Sequence, residues 1–376
     1  MPAPIMDKLL LQDLKSNIFR GLKLIRMLNF DSKATVGPIR VDIAPTSACT
    51  YNCCFCNSHS YLRDDHAEPV FMHEDVLHNI FSDLKELGTK ELLFSGNGEP
   101  LLSKALRQEI KQKGKNFSIE ILSNGSTLDF VDEELFSNLR FLTISLNSGN
   151  GKSHQITHGY KGENQFEKTI ENIERILNFS NANNKIKLNY VITTDNYGEL
   201  EDFFGRAMNW NVNFMARPVS VDFPELAPKG LNHELLDAIN ATITRYLADR
   251  TLSGKLNLSF QLLRRACQTG YRKIESQNTL YPCYMGFIQE YIEANGDVLL
   301  CSTGSEKPLG NLNENNLKTI WQHKDNLDTR MMATHMHETD DPVFSGCYNC
   351  TNVQCHSVAF HNIYSRIPGL YKQKGQ

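Results

Sequence analysis

Six short apolar segments alternate with helical stretches through the middle of the chain, and this alternation limits the folds open to it. The predicted strands cover Ile39–Ala44, Leu92–Ser95, Ser118–Leu122, Phe141–Leu146, Lys187–Thr193 and Asn213–Met215. The predicted helices between them cover His73–Leu87, Lys104–Lys113, Glu133–Leu139, Gln165–Leu177 and Glu199–Trp210. This order predicts an α/β fold with a parallel sheet and right-handed crossovers. It leaves open whether the sheet is open or curled into a barrel.

The loop after the first predicted strand carries three regularly spaced cysteines. Cys49, Cys53 and Cys56 lie in the stretch Ala44-Pro-Thr-Ser-Ala-Cys-Thr-Tyr-Asn-Cys-Cys-Phe-Cys. The spacing Cys-x3-Cys-x2-Cys brings three thiolates onto one short loop and supplies no fourth ligand. A four-iron cluster held by three cysteines leaves one iron free to bind something else. The spacing therefore indicates an iron-sulfur cluster with one open iron.

Two other kinds of site could use part of this motif. Cys53 and Cys56 form a Cys-x-x-Cys pair, which alone is typical of a redox dithiol or of half a zinc site. A redox dithiol has no need of Cys49, and a zinc site would need a second pair, such as Cys347 and Cys350 at the other end of the chain. Cys54 is spare in each scheme, and we interpret it as a small packing residue.

The cysteine motif, with Phe55 before its last cysteine, resembles the signature of the radical S-adenosylmethionine (SAM) superfamily. In that family the amino and carboxylate groups of SAM chelate the open iron. An electron from the cluster then breaks a carbon-sulfur bond of SAM to give a 5'-deoxyadenosyl radical. The resemblance implies a partial (β/α)6 TIM-type barrel over about residues 36–250, with cofactor and substrate at the carboxyl ends of the strands. It also implies an external one-electron donor such as flavodoxin or ferredoxin.

Three motifs at later strand ends resemble SAM-binding elements of the same family. Phe94-Ser-Gly-Asn-Gly-Glu-Pro resembles the Gly-Gly-Glu-Pro motif that contacts the amino group of SAM's methionine, with Asn97 replacing the first glycine. Ser123-Asn-Gly resembles a Thr-Asn-Gly element and Ser145-Leu-Asn a Ser-Leu-Asp element, both beside the SAM ribose and methionine carboxylate. Asparagine instead of aspartate in the last element removes a charge and a potential acceptor. The resemblance thus implies the SAM-binding residues Gly98, Glu99, Ser123, Asn124, Ser145 and Asn147.

A second set of cysteines lies near the C-terminus. Cys283 and Cys301 flank a predicted hairpin over Ile292–Leu300, and a helix predicted over Leu317–Trp321 precedes the next cysteine pair. Across residues 282–356 this pattern resembles the SPASM and twitch extensions of radical SAM enzymes. The resemblance implies an auxiliary [4Fe-4S] cluster whose ligands are Cys283, Cys301, Cys347 and Cys350. A zinc ribbon could use the same four thiolates.

The number of cysteines limits the number of clusters. The chain has ten cysteines, and the two predicted sites leave Cys54, Cys267 and Cys355. Three residues cannot fully ligate a further cluster, so we expect two [4Fe-4S] clusters and a domain of the twitch or degenerate SPASM type. Cys267 or Cys355 could replace one of the four auxiliary ligands.

Composition bears on location and partners. The net charge of -4 gives no indication of a nucleic-acid partner. Ten cysteines without a signal peptide or transmembrane run predict a reducing compartment, the cytoplasm, and no membrane association. The predicted organisation is a helical segment at 1–35, the radical SAM core at 36–250, a linker or helical connection at 251–281 and the auxiliary domain at 282–376. The first segment is expected to dock on the barrel, or else to bind a membrane surface or partner.

These features predict a radical SAM enzyme that abstracts hydrogen from an unactivated carbon. The favoured reaction is oxidation or rearrangement of a small hydroxylated metabolite, such as a sugar or aminocyclitol. The twitch-like cysteine spacing and the missing peptide-binding module before the barrel favour this substrate class. One alternative is modification of a ribosomal peptide or protein, and another is a non-enzymatic zinc or iron-sulfur protein with a structural or sensor role. The motifs single out no catalytic side chain.

Overall fold

The computed structural model describes residues 20–29, 31, 33–56, 68–160, 162, 164–219, 229–269, 282–302, 307–338, 344, 347, 360–361 and 364–366. The chain divides into two compact units, each assembled from separate stretches of sequence. The terminal unit comprises Met1–Ala44, Met72–Leu93 and Ile274–Gln376, and the central unit comprises Pro45–Phe71 and Phe94–Lys273. The four predicted domains are continuous in sequence, and their boundaries stay a prediction.

Strands and helices alternate along the described residues. The strands are β1 Arg40–Ile43, β2 Glu91–Phe94, β3 Ser118–Ser123, β4 Leu139–Ser145, β5 Ile186–Ile192, β6 Asn213–Pro218, β7 Gln289–Ile292, β8 Asp297–Leu299 and β9 Gly310–Asn311. The helices are α1 (residues 20–29), α2 Glu74–Glu86, α3 Lys104–Lys113, α4 Glu133–Ser137, α5 Gly151–His158, α6 Gln165–Leu177, α7 Ala182–Lys185, α8 Leu200–Asn209, α9 His233–Leu247, α10 Gly254–Thr269, α11 Met285–Ile288, α12 Leu317–Gln322 and α13 Lys324–Ala333.

The terminal unit has the strand order β2-β1-β7-β8-β9. β7 runs parallel to β1, and β8 and β9 follow in antiparallel pairing. The turn between β7 and β8 contains Gly296 at φ 92°, a left-handed conformation that favours glycine. The predicted C-terminal hairpin is therefore confirmed.

The core of the terminal unit includes part of the N-terminal segment. Leu24 and Met27 of α1 are buried in one cluster with Trp321 of α12. The Trp321 indole Nε1 donates a hydrogen bond of 3.0 Å to the carbonyl oxygen of Val36, so this buried ring also has its polar group satisfied. The described end of the predicted N-terminal helix thus packs into this core, whereas residues 1–19 lie outside the described residues.

The central unit has the strand order β6-β5-β4-β3, and all its strand pairs are parallel. One face of these strands is apolar and buried, with Ile121, Ile144, Leu188 and Phe214 among its residues. Successive residues of a strand point to opposite faces. The alternate residues form a second, polar face, which carries Glu120, Thr143, Lys187, Asn189 and Arg217.

The predicted α/β fold with a parallel sheet is confirmed. α3 and α6 have the predicted bounds, and α2 starts after His73 because the His73 imidazole accepts a hydrogen bond from the backbone N–H of Asp75 and caps the helix. α5 and α9 were not predicted, and α10 lies in the predicted linker or helical connection. Among the helices that the structure describes, none is both long and apolar enough to span a bilayer.

Candidate functional site

The cysteine loop is held by backbone hydrogen bonds to the end of α5. The N–H groups of Asn52 and Cys54 donate to the carbonyl oxygens of His158 and Thr157, at 2.9 and 3.0 Å. Carbonyl groups in the last turn of a helix lack partners within the helix. The loop therefore caps α5, and α5 in turn fixes the conformation of the loop.

Gly159 makes this close approach possible. Its φ of 60° is left-handed, and an added Cβ atom would lie 2.3 Å from the carbonyl oxygen of Asn52. The start of α5 is fixed as well, since the Glu199 carboxylate accepts hydrogen bonds from the backbone N–H of Gly149 and the hydroxyl of Ser153. The helix is thus held at both ends against the rest of the central unit.

The thiols of this loop are half-buried. Burial raises the pKa of Cys49 to about 11. Burial also raises the pKa of Cys53 well above its ordinary value, and the neighbouring thiols of Cys56, Cys49 and Cys54 add to that effect. A bound metal would lower these pKa values, because its positive charge stabilises the thiolates. The donor set fits an iron-sulfur cluster, for which cysteine thiolates are the usual protein ligands.

A zinc ion would need these thiols to be arranged differently. Among the described residues, no three His, Cys, Asp or Glu side chains are placed to share one metal ion. A zinc site needs its sulfur ligands about 2.3 Å from a single ion. A four-iron cluster has a separate iron for each cysteine, so three thiolates need not meet at one point.

Gly98 packs directly on the backbone of the cysteine loop. An added Cβ atom at Gly98 would lie 2.5 Å from the carbonyl oxygens of both Ala48 and Thr46. The N–H of Glu99 donates to the same Ala48 oxygen at 2.7 Å. The predicted glycine motif and the predicted cysteine motif therefore form one continuous surface.

The Glu99 carboxylate links the glycine motif to the end of β3. It is fully buried and accepts four hydrogen bonds, from the Ser123 hydroxyl, the Asn124 N–H, the Thr127 hydroxyl and the Leu101 N–H. Burial raises the pKa of Glu99, whereas these donors act in the opposite direction. The carboxylate thus organises the turn that carries Ser123 and Asn124.

Asn124 reaches from that turn to the cysteine loop. Its Nδ2 atom lies 3.5 Å from Cys49 Sγ and 3.1 Å from Thr50 Oγ1. Ser145 is half-buried on β4 and pairs in register with Asn189 of β5. The structure brings Gly98, Glu99, Ser123 and Asn124 together beside Cys49.

Asn147 is fully buried, and its side chain faces into the central unit. The Oδ1 atom accepts from the Val191 N–H at 2.7 Å, and Nδ2 lies 3.4 Å from His158 Nε2. The His158 Nδ1 atom lies 3.5 Å from Cys53 Sγ. Sequence reasoning missed His158, although the pattern His154-x3-His158-Gly159 after a strand is a signal that could have drawn attention to it.

The predicted auxiliary ligands belong to the terminal unit. Cys283 is buried in an apolar cluster with Met285, Leu300 and Phe344, and Cys347 packs against the same cluster. Cys301 lies two residues after the end of β8 and is half-buried. Cys350 and Cys355 lie outside the described residues, and Cys267 is buried on α10 of the central unit.

Comparisons with known proteins agree with both cysteine regions. The Radical SAM superfamily matches residues 43–207, and SPASM, an iron-sulfur cluster-binding domain, matches residues 283–351. The GTP 3',8-cyclase of Pectobacterium atrosepticum is 26% identical over 195 residues, which are 50% of this chain and 55% of that protein. The chain therefore spans about half the length of this curated relative.

Solved structures of similar fold include SuiB of Streptococcus suis. SuiB bound to its precursor peptide SuiA superposes with a TM-score of 0.57 at 15% identity, covering 84% of this chain and 77% of that one. SuiB bound to SAM superposes with a TM-score of 0.55 at 17% identity, covering 84% of this chain and 69% of that one. The two matched families imply SAM, a [4Fe-4S] cluster and auxiliary iron-sulfur clusters as cofactors. The chain belongs to the radical SAM superfamily and carries a C-terminal SPASM domain.

Proposed function

We propose that Cys49, Cys53 and Cys56 hold the SAM-binding [4Fe-4S] cluster and that the protein abstracts hydrogen from a small, polar, hydroxylated metabolite. The observation that carries the cluster assignment is the packing of Gly98, Glu99 and Asn124 on the cysteine loop. When bound, the cluster and SAM supply a carbon-centred radical, with the electron coming from an external donor such as flavodoxin or ferredoxin.

The residues around the loop have separate roles in this proposal. Gly98 lets the glycine motif approach the loop backbone, and Glu99 holds the β3 turn by its four hydrogen bonds. Asn124 presents its amide beside Cys49. It would contact bound SAM, as would Ser123 and Ser145. These groups would orient SAM and exclude water.

The auxiliary cluster is assigned to Cys283, Cys301, Cys347 and Cys350. Support comes from the packing of Cys283 and Cys347 on one apolar cluster and from the position of Cys301 at the end of the hairpin. Four protein ligands would leave no open iron, so a cluster held there would supply an electron acceptor and would not bind the substrate.

The polar face of the central strands supports the proposed substrate class. Glu120 accepts hydrogen bonds from Thr143 at 2.6 Å and from Lys187 at 3.4 Å. The Oδ1 atom of Asn189 is buried and has no hydrogen-bond partner among the described residues. Arg217 lies exposed on the same face near the carboxyl end of β6. Convergent polar groups of this kind suit a substrate with several hydroxyl groups.

Modification of a ribosomal peptide is the second candidate. It is supported by the similarity in fold to SuiB, which was solved with a precursor peptide. A polar face can bind a peptide backbone as well as a sugar, so the two candidates call for the same first assay with different substrates.

The test begins with anaerobic reconstitution of the full chain. We expect brown protein with about eight iron and about eight sulfide per chain, which cleaves SAM to 5'-deoxyadenosine once an added one-electron donor such as reduced flavodoxin has reduced it. The Cys53→Ala variant should lose this cleavage and keep about half the iron, since the auxiliary site does not share this ligand. Colourless protein with stoichiometric zinc would contradict the proposal. Faster SAM cleavage with a hydroxylated metabolite than with a precursor peptide would select the first candidate, and the reverse order the second.

A further inference from the structure

His158, the last residue of α5, is packed against the sulfur of Cys53. Its ring is fully buried, and Nδ1 lies 3.5 Å from Cys53 Sγ. The rings of Tyr51 and Phe55 contact it edge-on, with centroid distances of 4.9 and 5.9 Å. The ring is thus held from several sides, and the contact with the sulfur is part of the packed core.

The hydrogen bonds behind His158 determine which of its nitrogens carries the proton. The backbone N–H of Val191 can only donate, so the Asn147 atom 2.7 Å away must be the amide oxygen. The other amide atom is then the NH2 group, which lies 3.4 Å from His158 Nε2 and donates to it. A nitrogen that accepts carries no proton, so His158 is neutral and its proton is on Nδ1, facing Cys53.

We propose that His158 is a positioning residue, which donates an Nδ1–H hydrogen bond to the Cys53 thiolate and raises the reduction potential of the cluster that Cys53 holds. This inference rests on the proposed function, in which Cys53 is a cluster ligand. Reduction adds negative charge that the sulfur ligands share. A hydrogen-bond donor at one sulfur therefore stabilises the reduced cluster more than the oxidised one.

Asn147 has a defined part in this arrangement. An aspartate at position 147 would present a second acceptor to His158 Nε2 after accepting from Val191. The imidazole proton would then move to Nε2, and Nδ1 would no longer donate to Cys53. The amide of Asn147 thus keeps the donor of His158 directed at the sulfur.

His154, one turn earlier on α5, is the matched control. Its ring lies 4.2 Å from that of His158, but its nitrogens are hydrogen-bonded elsewhere. Nδ1 lies 2.8 Å from the Ser148 hydroxyl, and Nε2 lies 3.4 Å from the Tyr51 hydroxyl. Replacing His154 perturbs the same packed region without removing a donor to Cys53.

The first test is a redox titration of the anaerobically reconstituted full chain, followed by electron paramagnetic resonance. The signal to follow is the one that Cys53→Ala lacks. His158→Phe keeps a ring and loses the donor. The equilibrium constant for reduction of the cluster should therefore fall about tenfold, which lowers the reduction potential by about 59 mV for a one-electron couple. His158→Asn, whose amide nitrogen can replace Nδ1, and His154→Phe should keep the wild-type potential.

Two results would overturn the inference: an unchanged potential in His158→Phe, or an equal shift in His154→Phe. If Cys53→Ala keeps every cluster signal, the ligand assignment fails and with it the proposed function. If that variant loses its signal while His158→Phe titrates like the wild type, only the role of His158 fails.

The second test uses the apoprotein. It can therefore be applied to a variant that fails to assemble the cluster. Nitrogen-15 labelled histidine reports the tautomer by nuclear magnetic resonance. We expect the proton of His158 on Nδ1 in the wild type and on Nε2 in Asn147→Asp. A wild-type spectrum with the proton on Nε2 would refute the proposal.

Discussion

Replacing Gly159 by alanine tests whether α5 holds the cysteine loop in place. Gly159 has a φ of 60°, and an added Cβ atom would lie 2.3 Å from the backbone oxygen of Asn52. That oxygen cannot turn away like a side chain, so the segment between Cys49 and Cys53 must move. We expect Gly159→Ala to lower the stability of the protein and to displace the loop.

Gly88 offers a matched control for the size of the effect. It has a φ of 70°, and an added Cβ atom would meet nothing within 4 Å. Gly88→Ala should therefore lower the free energy of unfolding only by the strain of an alanine in the left-handed conformation, about 1–2 kcal/mol. Gly159→Ala adds an overlap that behaves like overpacking, about 1–3 kcal/mol, for a total loss of about 2–5 kcal/mol.

Urea unfolding of the two apoproteins and the iron content after reconstitution provide the measurements. Gly88→Ala should bind the wild-type amount of iron, whereas Gly159→Ala should lose about half of it, the share of one of two clusters. If both variants are equally stable and bind equal iron, the close approach of Gly159 to Asn52 does not control the loop, and this reasoning is wrong.

Three further expectations concern single side chains. Glu99→Gln places an NH2 group among donors such as the Asn124 N–H and should lower the unfolding free energy by about 1–3 kcal/mol, measured in urea; wild-type stability would contradict its linking role. Cys301→Ala should lose about half the iron and stop product formation while 5'-deoxyadenosine still forms, as followed by liquid chromatography. Normal product formation would show that the auxiliary cluster is dispensable. Glu290 and Arg330 are fully buried with 3.8 Å between their charged groups, and burial raises the pKa of Glu290 from its ordinary 4.5. The folded state then binds this proton more tightly than the unfolded state, so wild-type stability should fall as the pH rises above 4.5, and Glu290→Gln should lessen that fall. If the stability of the wild type and that of Glu290→Gln fell equally with rising pH, Glu290 would not be the cause of the fall.

Local sequence patterns predicted most helices and strands of the core. α3 and α6 have the predicted bounds because their buried residues recur at helical spacing, as in Phe166, Thr169, Ile173 and Ile176. α5 was missed because its buried residues are polar and form no apolar pattern. They are Ser153, His154, Thr157 and His158. A helix buried through hydroxyl and imidazole groups has no apolar stripe in its sequence.

The predicted site residues divide in a similar way. The thiols of the cysteine loop, Gly98 and Asn124 could be named from motifs because their chemistry and spacing lie within short stretches of sequence. The inward orientation of Asn147 could not, since it depends on the N–H of Val191 and the ring of His158. The auxiliary ligands Cys283, Cys301 and Cys347 were named by the same kind of motif, and their assignment stays a prediction.

By itself the sequence predicted the fold class and the cofactor class of this protein, since periodicity and cysteine spacing are properties of neighbouring residues. Only the tertiary structure decided what surrounds each thiolate. His158 meets Cys53 across 105 residues of sequence, and Asn124 meets Cys49 across 75. Contacts of this kind follow from how the strand ends and α5 pack together, and no local pattern encodes that packing.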